Sequence, residues 1–183
     1  MNLLSHGNCA CCSDLLAKQF DRRRFLQISG AAALAAAVPA TGFAASGNYE
    51  AMLLTCIDPR FQEPIFNDMK TRNMTGKYSQ FTIAGAAIGV VAEPFKDWHK
   101  AFWDNLATSI ELHKIKNVIA INHRDCGAAK IAYGENSVVP EERETETHRA
   151  ALAEFRKQVG QRHPNLGVET GLMAIDGTIQ MFS

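Results

Sequence analysis

Two short apolar runs, Met52-Leu53-Leu54-Thr55 and Asn117-Val118-Ile119-Ala120-Ile121-Asn122, each stop against a residue that carries chemistry, Cys56 in one case and His123 in the other. Brief runs of this kind, closed by turn formers, read as strands buried on both faces. Pro59 cannot continue a sheet and so ends the first run near Cys56. A third strand candidate is Phe81-Thr82-Ile83-Ala84, closed by Gly85, and a last one runs from Gly167 to Ile175 into a turn at Asp176-Gly177. Helical patterns separate them. One covers 61–74 with Pro64 near its start, and another covers 96–114 with Trp98, Phe102, Leu106 and Ile110 at helical spacing. A third starts at Cys126-Gly127 with Asp125 as a candidate cap, and the highly charged 141–161 makes a fourth. Strands alternating with helices predict an α/β fold, with a mainly parallel central sheet of about four strands flanked by helices. Such sheets hold ligands outside the carboxyl ends of their strands, where Cys56 and His123 both fall.

The residues at those ends form two patterns: Cys56-x-Asp58-x-Arg60 and, 67 residues after Cys56, His123-Arg124-Asp125-Cys126-Gly127. Two thiolates and one imidazole can share one zinc. Three protein ligands leave a tetrahedral zinc one position short, which distinguishes a catalytic site from a structural one closed by four. His and Cys at i and i+3 lie on one side of a turn or helix start, so Cys56 must be brought to them by the fold. A disulfide between Cys56 and Cys126 is the competing reading in an oxidising compartment. It would need neither the carboxylate and arginine near Cys56 nor the histidine three residues before Cys126. His99, His113, His148 and His163 are ordinary surface or core histidines in pattern, with proton shuttling as a minor alternative. Lys130 and Tyr133 follow the second pattern closely enough to pack beside it.

With Cys-x-Asp-x-Arg followed by His-x-x-Cys-Gly, the chain resembles the beta-class carbonic anhydrases over residues 50 to about 135. The resemblance implies one zinc per chain bound by Cys56, His123 and Cys126, with Asp58 and Arg60 as a catalytic dyad beside the open position. It also implies a small parallel core working as a homodimer or larger homo-oligomer. The activity it implies is hydration of carbon dioxide to bicarbonate by a zinc-bound hydroxide. Two departures stand out: the family's Arg-Asn-Ala-Gly is Thr82-Ile83-Ala84-Gly85 here, and its usual Ser between Asp and Arg is Pro59. A pocket made more apolar by the first change would suit carbonyl sulfide or carbon disulfide, linear molecules hydrolysed by related chemistry. A noncatalytic periplasmic zinc-binding protein is the third reading.

Composition narrows the setting. At 183 residues, 46% hydrophobic and 21% charged, the chain reads as one ordinary globular domain behind a leader. Asp21-Arg22-Arg23-Arg24-Phe25-Leu26 precedes a mildly apolar, alanine-rich stretch from Ile28 to Val38 and a small-residue site near Gly42-Phe43-Ala44. This is the layout of a twin-arginine export signal, predicting a signal peptide over 1–44, a zinc-binding catalytic domain over 45–183 and a periplasmic location. A membrane anchor competes, but the stretch is shorter than the roughly 20 residues a span needs. Without the leader's Lys18, Arg22, Arg23, Arg24, Asp14 and Asp21 the chain is slightly acidic, which argues against a nucleic-acid partner. His6, Cys9, Cys11 and Cys12 form a soft-ligand cluster within the leader, and it would depart with it.

Overall fold

The computed structural model describes residues 49–183. The proposed leader and its His6/Cys9/Cys11/Cys12 cluster lie outside the described residues. Five strands form one sheet in the order β2-β1-β3-β4-β5: β1 (Ala51–Thr55), β2 (Tyr78–Thr82), β3 (Asn117–His123), β4 (Gly167–Met173) and β5 (Ile179–Phe182). The first four are mutually parallel and β5 pairs antiparallel with β4. The helices are α1 (Gln62–Thr71), α2 (Ala87–Val91), α3 (Lys96–His113), α4 (Gly127–Tyr133) and α5 (Glu141–Arg162). No described helix is long and apolar enough to cross a membrane.

Both faces of the sheet are covered, which is why β1 and most of β3 are unbroken buried runs rather than alternating ones. Ala51, Leu53, Ile119 and Ile121 point to one face and pack with Phe61, Ile65 and Met69 at α1. Met52, Leu54, Val118 and Ala120 point to the other, where Phe102 and Leu106 of α3 and Leu152 and Phe155 of α5 close the larger core. α5 carries a charged outer surface, yet Glu144, His148, Ala151, Leu152, Phe155 and Val159 recur at helical spacing and form one buried stripe. Phe102 is fully buried, whereas Trp98 stacks on Phe95 with its ring partly exposed. Trp103 is flanked by Phe155 and the Arg162 guanidinium.

The sheet has one strand more than the sequence predicts. After the turn at Asp176-Gly177, where Gly177 takes φ 88°, the chain returns along β4 instead of leaving the sheet. β5 is short and half exposed, so its pattern gives no long apolar run to detect. β2 also lies earlier than the predicted 81–84, because Ile83, Ala84 and Gly85 leave the strand to turn over its end. α1 begins after a single 3-10 turn at Pro59–Phe61 and stops at Thr71, short of the predicted 74.

Candidate metal centre

Register places the site. Thr55, the last residue of β1, pairs with Thr82 on one side and Ile121 on the other, and β3 continues two residues beyond that level to His123. Cys56 therefore emerges beside the end of β3, and the turn after His123 brings Cys126 back to the start of α4. One ligand atom each from Cys56, His123 and Cys126 lie within 4.8 Å of one another, and all three residues are buried. Both cysteines are free thiols in this structure. The clamp expected at i and i+3 and the expected long-range third ligand are thus brought together.

The imidazole is oriented for coordination. His123 Nδ1 is 2.8 Å from the Arg124 carbonyl, which assigns it the proton as donor, and Phe61 stacks on the ring at 4.1 Å. Nε2 is then left as a buried nitrogen lone pair without a hydrogen-bond partner. A metal ligand fixed through its other nitrogen has this arrangement. Around Cys56, the Gly85 amide donates to Sγ at 3.2 Å. The Cys126 thiol beside it, working against burial and aided by His123 and the Gly85 amide, pulls Cys56 down to about 4. Cys126 is driven upward by the same hydrogen bond, because the two buried sulfurs then share one proton. A thiolate, a second thiol and an unpartnered imidazole nitrogen are a donor set that a divalent zinc fits, displacing that proton.

Asp58 and Arg60 stand next to this cluster. Asp58 caps the turn at Pro59 by accepting from the Arg60 amide at 3.0 Å, and its carboxylate receives Arg60 Nε at 3.1 Å and Nη2 at 2.7 Å. The Arg60 hydrogen bonds hold its carboxyl well below the usual range, at about 2, so it is ionised at any working pH. Asp58 Oδ2 lies 4.0 Å from His123 Nε2. Pro59, in the first turn, needs no amide hydrogen there and so does not disturb the cap. A pocket of about 410 Å³ opens over the ligands, with Ile57, Ala84, Phe95, Trp98, Ala128 and Ile131 among its walls. A larger groove of about 580 Å³ beside Tyr133, Arg143 and Glu154 contains none of these ligands.

The other sequence candidates sit elsewhere. Asp125 does not cap α4: Cys126 is the N-cap and makes no side-chain cap bond, while the Asp125 side chain turns outward to Arg60 and Lys130. His99 meets the Ala92 carbonyl and His113 packs on Tyr49. His163 ends α5. His148 is buried and receives Asn122 Nδ2 at 3.0 Å, while Asn122 Oδ1 accepts the Ala87 amide. Sequence reasoning missed this Asn122–His148 link and also Glu144, a buried carboxylate that holds the backbone of the turn between His123 and Cys126. Glu144 and His148 at i and i+4 both fall on the apolar stripe of α5, and that was the available signal.

A family profile described as "Putative carbonic anhydrase" matches residues 46–165. The chain belongs to that family. An uncharacterized protein of Rickettsia bellii is 33% identical over 129 residues, covering 70% of this chain and 79% of the relative. One from Rickettsia conorii is 30% identical over the same length, covering 70% and 69%. In fold, a Coccomyxa beta-carbonic anhydrase aligns with TM-score 0.52 at 15% identity, over 90% of this chain and 87% of that one. A beta-carbonic anhydrase of Sordaria macrospora, described as tetrameric, aligns with TM-score 0.51 at 13% identity, over 88% and 95%. This carbonic anhydrase relative is therefore a divergent member with the beta-class fold.

Proposed function

We propose that this chain is a zinc-dependent lyase of the carbonate dehydratase type, hydrating carbon dioxide to bicarbonate. The observation that carries the reading is the buried Cys56, His123 and Cys126 donor set with the ionised Asp58 carboxylate beside it. Zinc held there would supply the Lewis acidity that turns water into a nucleophile, and because two of its three ligands would be thiolates the activity should rise through the alkaline range. The chain's own residues do the rest. Asp58 accepts a hydrogen bond from the attacking water and orients it, and Arg60 keeps that carboxylate charged and aimed. The Gly85 amide disperses charge on Cys56, and the apolar walls admit a small uncharged linear substrate while excluding bulk water.

Those same walls favour a second reading, hydrolysis of carbonyl sulfide or carbon disulfide. Ala84 lines the pocket from the Thr82-Ile83-Ala84-Gly85 segment that lacks the family's Arg and Asn. Export through the twin-arginine pathway to the periplasm, with removal of 1–44, is part of the proposal and is supported by the arginine-led leader. So is assembly into a homodimer or larger homo-oligomer, in keeping with the tetramer described for the Sordaria protein. The deciding experiment is zinc analysis with stopped-flow hydration of carbon dioxide and parallel assays on carbonyl sulfide. About one zinc per chain with rapid hydration is expected. Zinc without turnover of either gas would leave only a noncatalytic metal-binding role.

A further inference from the structure

Asp125 lies between two metal ligands in sequence and adopts φ 53°, the left-handed region that a residue with a side chain seldom occupies. Such a backbone persists only where its surroundings over-determine it. Here three contacts do so. Glu144, nearly fully buried on α5, accepts the Asp125 amide at 2.6 Å through Oε1. Its other oxygen takes Arg124 Nη1 at 3.0 Å, and Arg60 Nη2 donates to the Asp125 carbonyl at 3.2 Å. The resulting pose directs the Asp125 carboxylate at Arg60 Nη1, 2.9 Å away.

The Arg60 guanidinium is thereby held on both edges. Nε and Nη2 face Asp58, while Nη1 and Nη2 face Asp125, and a planar fork engaged on two sides has no rotation left. Without the Asp125 carboxylate, Arg60 Nη1 would lose its partner, and the side chain, 46% exposed, would be held on that edge only by the longer bond from Nη2 to the Asp125 carbonyl. Stability does not explain the arrangement, since Asp125 is itself 54% exposed and open ion pairs contribute little to folding. We propose that Asp125 is a positioning residue for Arg60 and, through it, for Asp58, and that Glu144 holds Asp125 in that pose. The metal-binding turn and the Asp58 turn are then one mechanical unit.

The rate part of the test rests on the carbonic anhydrase reading, and a spectroscopic part does not. In full-length zinc-loaded protein, Asp125→Ala should lower kcat about tenfold, in the range for partners outside the ligand set, with zinc content unchanged. In an Arg60→Ala background the same change should cost nothing more. On cobalt-substituted protein, Asp125→Ala and Arg60→Ala should shift the visible absorption in the same sense, because both release Asp58 beside the ligands. Glu144→Leu should reproduce Asp125→Ala, and Glu144→Gln, which keeps an acceptor for the Asp125 amide but loses the bond from Arg124, should shift the spectrum less than Glu144→Leu. An unshifted cobalt spectrum in Asp125→Ala, or losses that add in the double variant, would overturn the proposal. If the parent hydrates no carbon dioxide, the functional reading fails and the cobalt spectra still decide this one.

Discussion

Replacing Asp58 with Asn separates holding the metal from using it. The Asp58 carboxylate bonds none of the three clustered donors and approaches the site only through space, 4.0 Å from His123 Nε2, while the Asp58 amide, which a change to Asn leaves in place, supports Cys56. Its carboxylate accepts three donors of Arg60: the amide at 3.0 Å, Nε at 3.1 Å and Nη2 at 2.7 Å. An amide in its place has one acceptor oxygen, so its nitrogen must face either the guanidinium, donor against donor, or the pocket, where it can no longer accept from water. The negative charge also goes, and that charge is present across the whole assay range because the group titrates at about 2. Losing such a partner costs roughly 10- to 100-fold in turnover, or about 1.4 to 2.7 kcal/mol of barrier. Zinc per chain should stay near the parent's. Initial rates of carbon dioxide hydration by stopped flow, alongside metal analysis, give both quantities. Parental turnover in Asp58→Asn with full zinc would refute the assignment of Asp58 to the reacting water.

Gly85→Ala should weaken zinc affinity by about 10-fold or more, read by chelator competition. The added Cβ would sit 2.9 Å from Ala128 Cβ at a residue with φ 80°, pushing the amide away from Cys56 Sγ. In metal-free protein, acid should act through His148, which burial holds at about 3 against an ordinary 6.5. A depressed value means the fold keeps the ring neutral, so its contribution is intact above pH 6.5 and is lost as pH falls toward 3. The loss runs at about 1.4 kcal/mol per pH unit, and urea unfolding at pH 7 and 5 should show a smaller drop for His148→Gln than for the parent. Phe102→Ala should cost about 3 to 5 kcal/mol in denaturant titrations, since the ring is fully buried between Phe81 and Phe155.

The sequence made the candidate ligand set legible because two of its members directly follow apolar runs strong enough to be recognised as strands. Cys56 and His123 follow apolar runs whose length and composition identify buried parallel strands, and the clamp at His123 and Cys126 is local. Elements that rely on tertiary context were harder to read. β5 is defined by its pairing with β4, and its four residues carry too little pattern to stand alone. The end of β2 is set by the Gly85 amide reaching Cys56, a contact between residues 29 apart in sequence.

Asp125 is the most instructive miss. Its type and place before a helix satisfy the local rule for an N-cap, yet that role needs extended backbone and the residue is left-handed here. What decides between them is Glu144, nineteen positions later on another helix, whose buried carboxylate takes the Asp125 amide that a cap geometry would have turned elsewhere. A carboxylate on an apolar stripe is costly unless its partners are built in. In α5 the one buried carboxylate, Glu144, faces Arg124 and the Asp125 amide within the turn that joins His123 to Cys126. Charge placed against the hydrophobic pattern of a helix is therefore a sequence-level pointer to the loop it supports, and in this chain that loop carries two of the three clustered donors that could hold a metal.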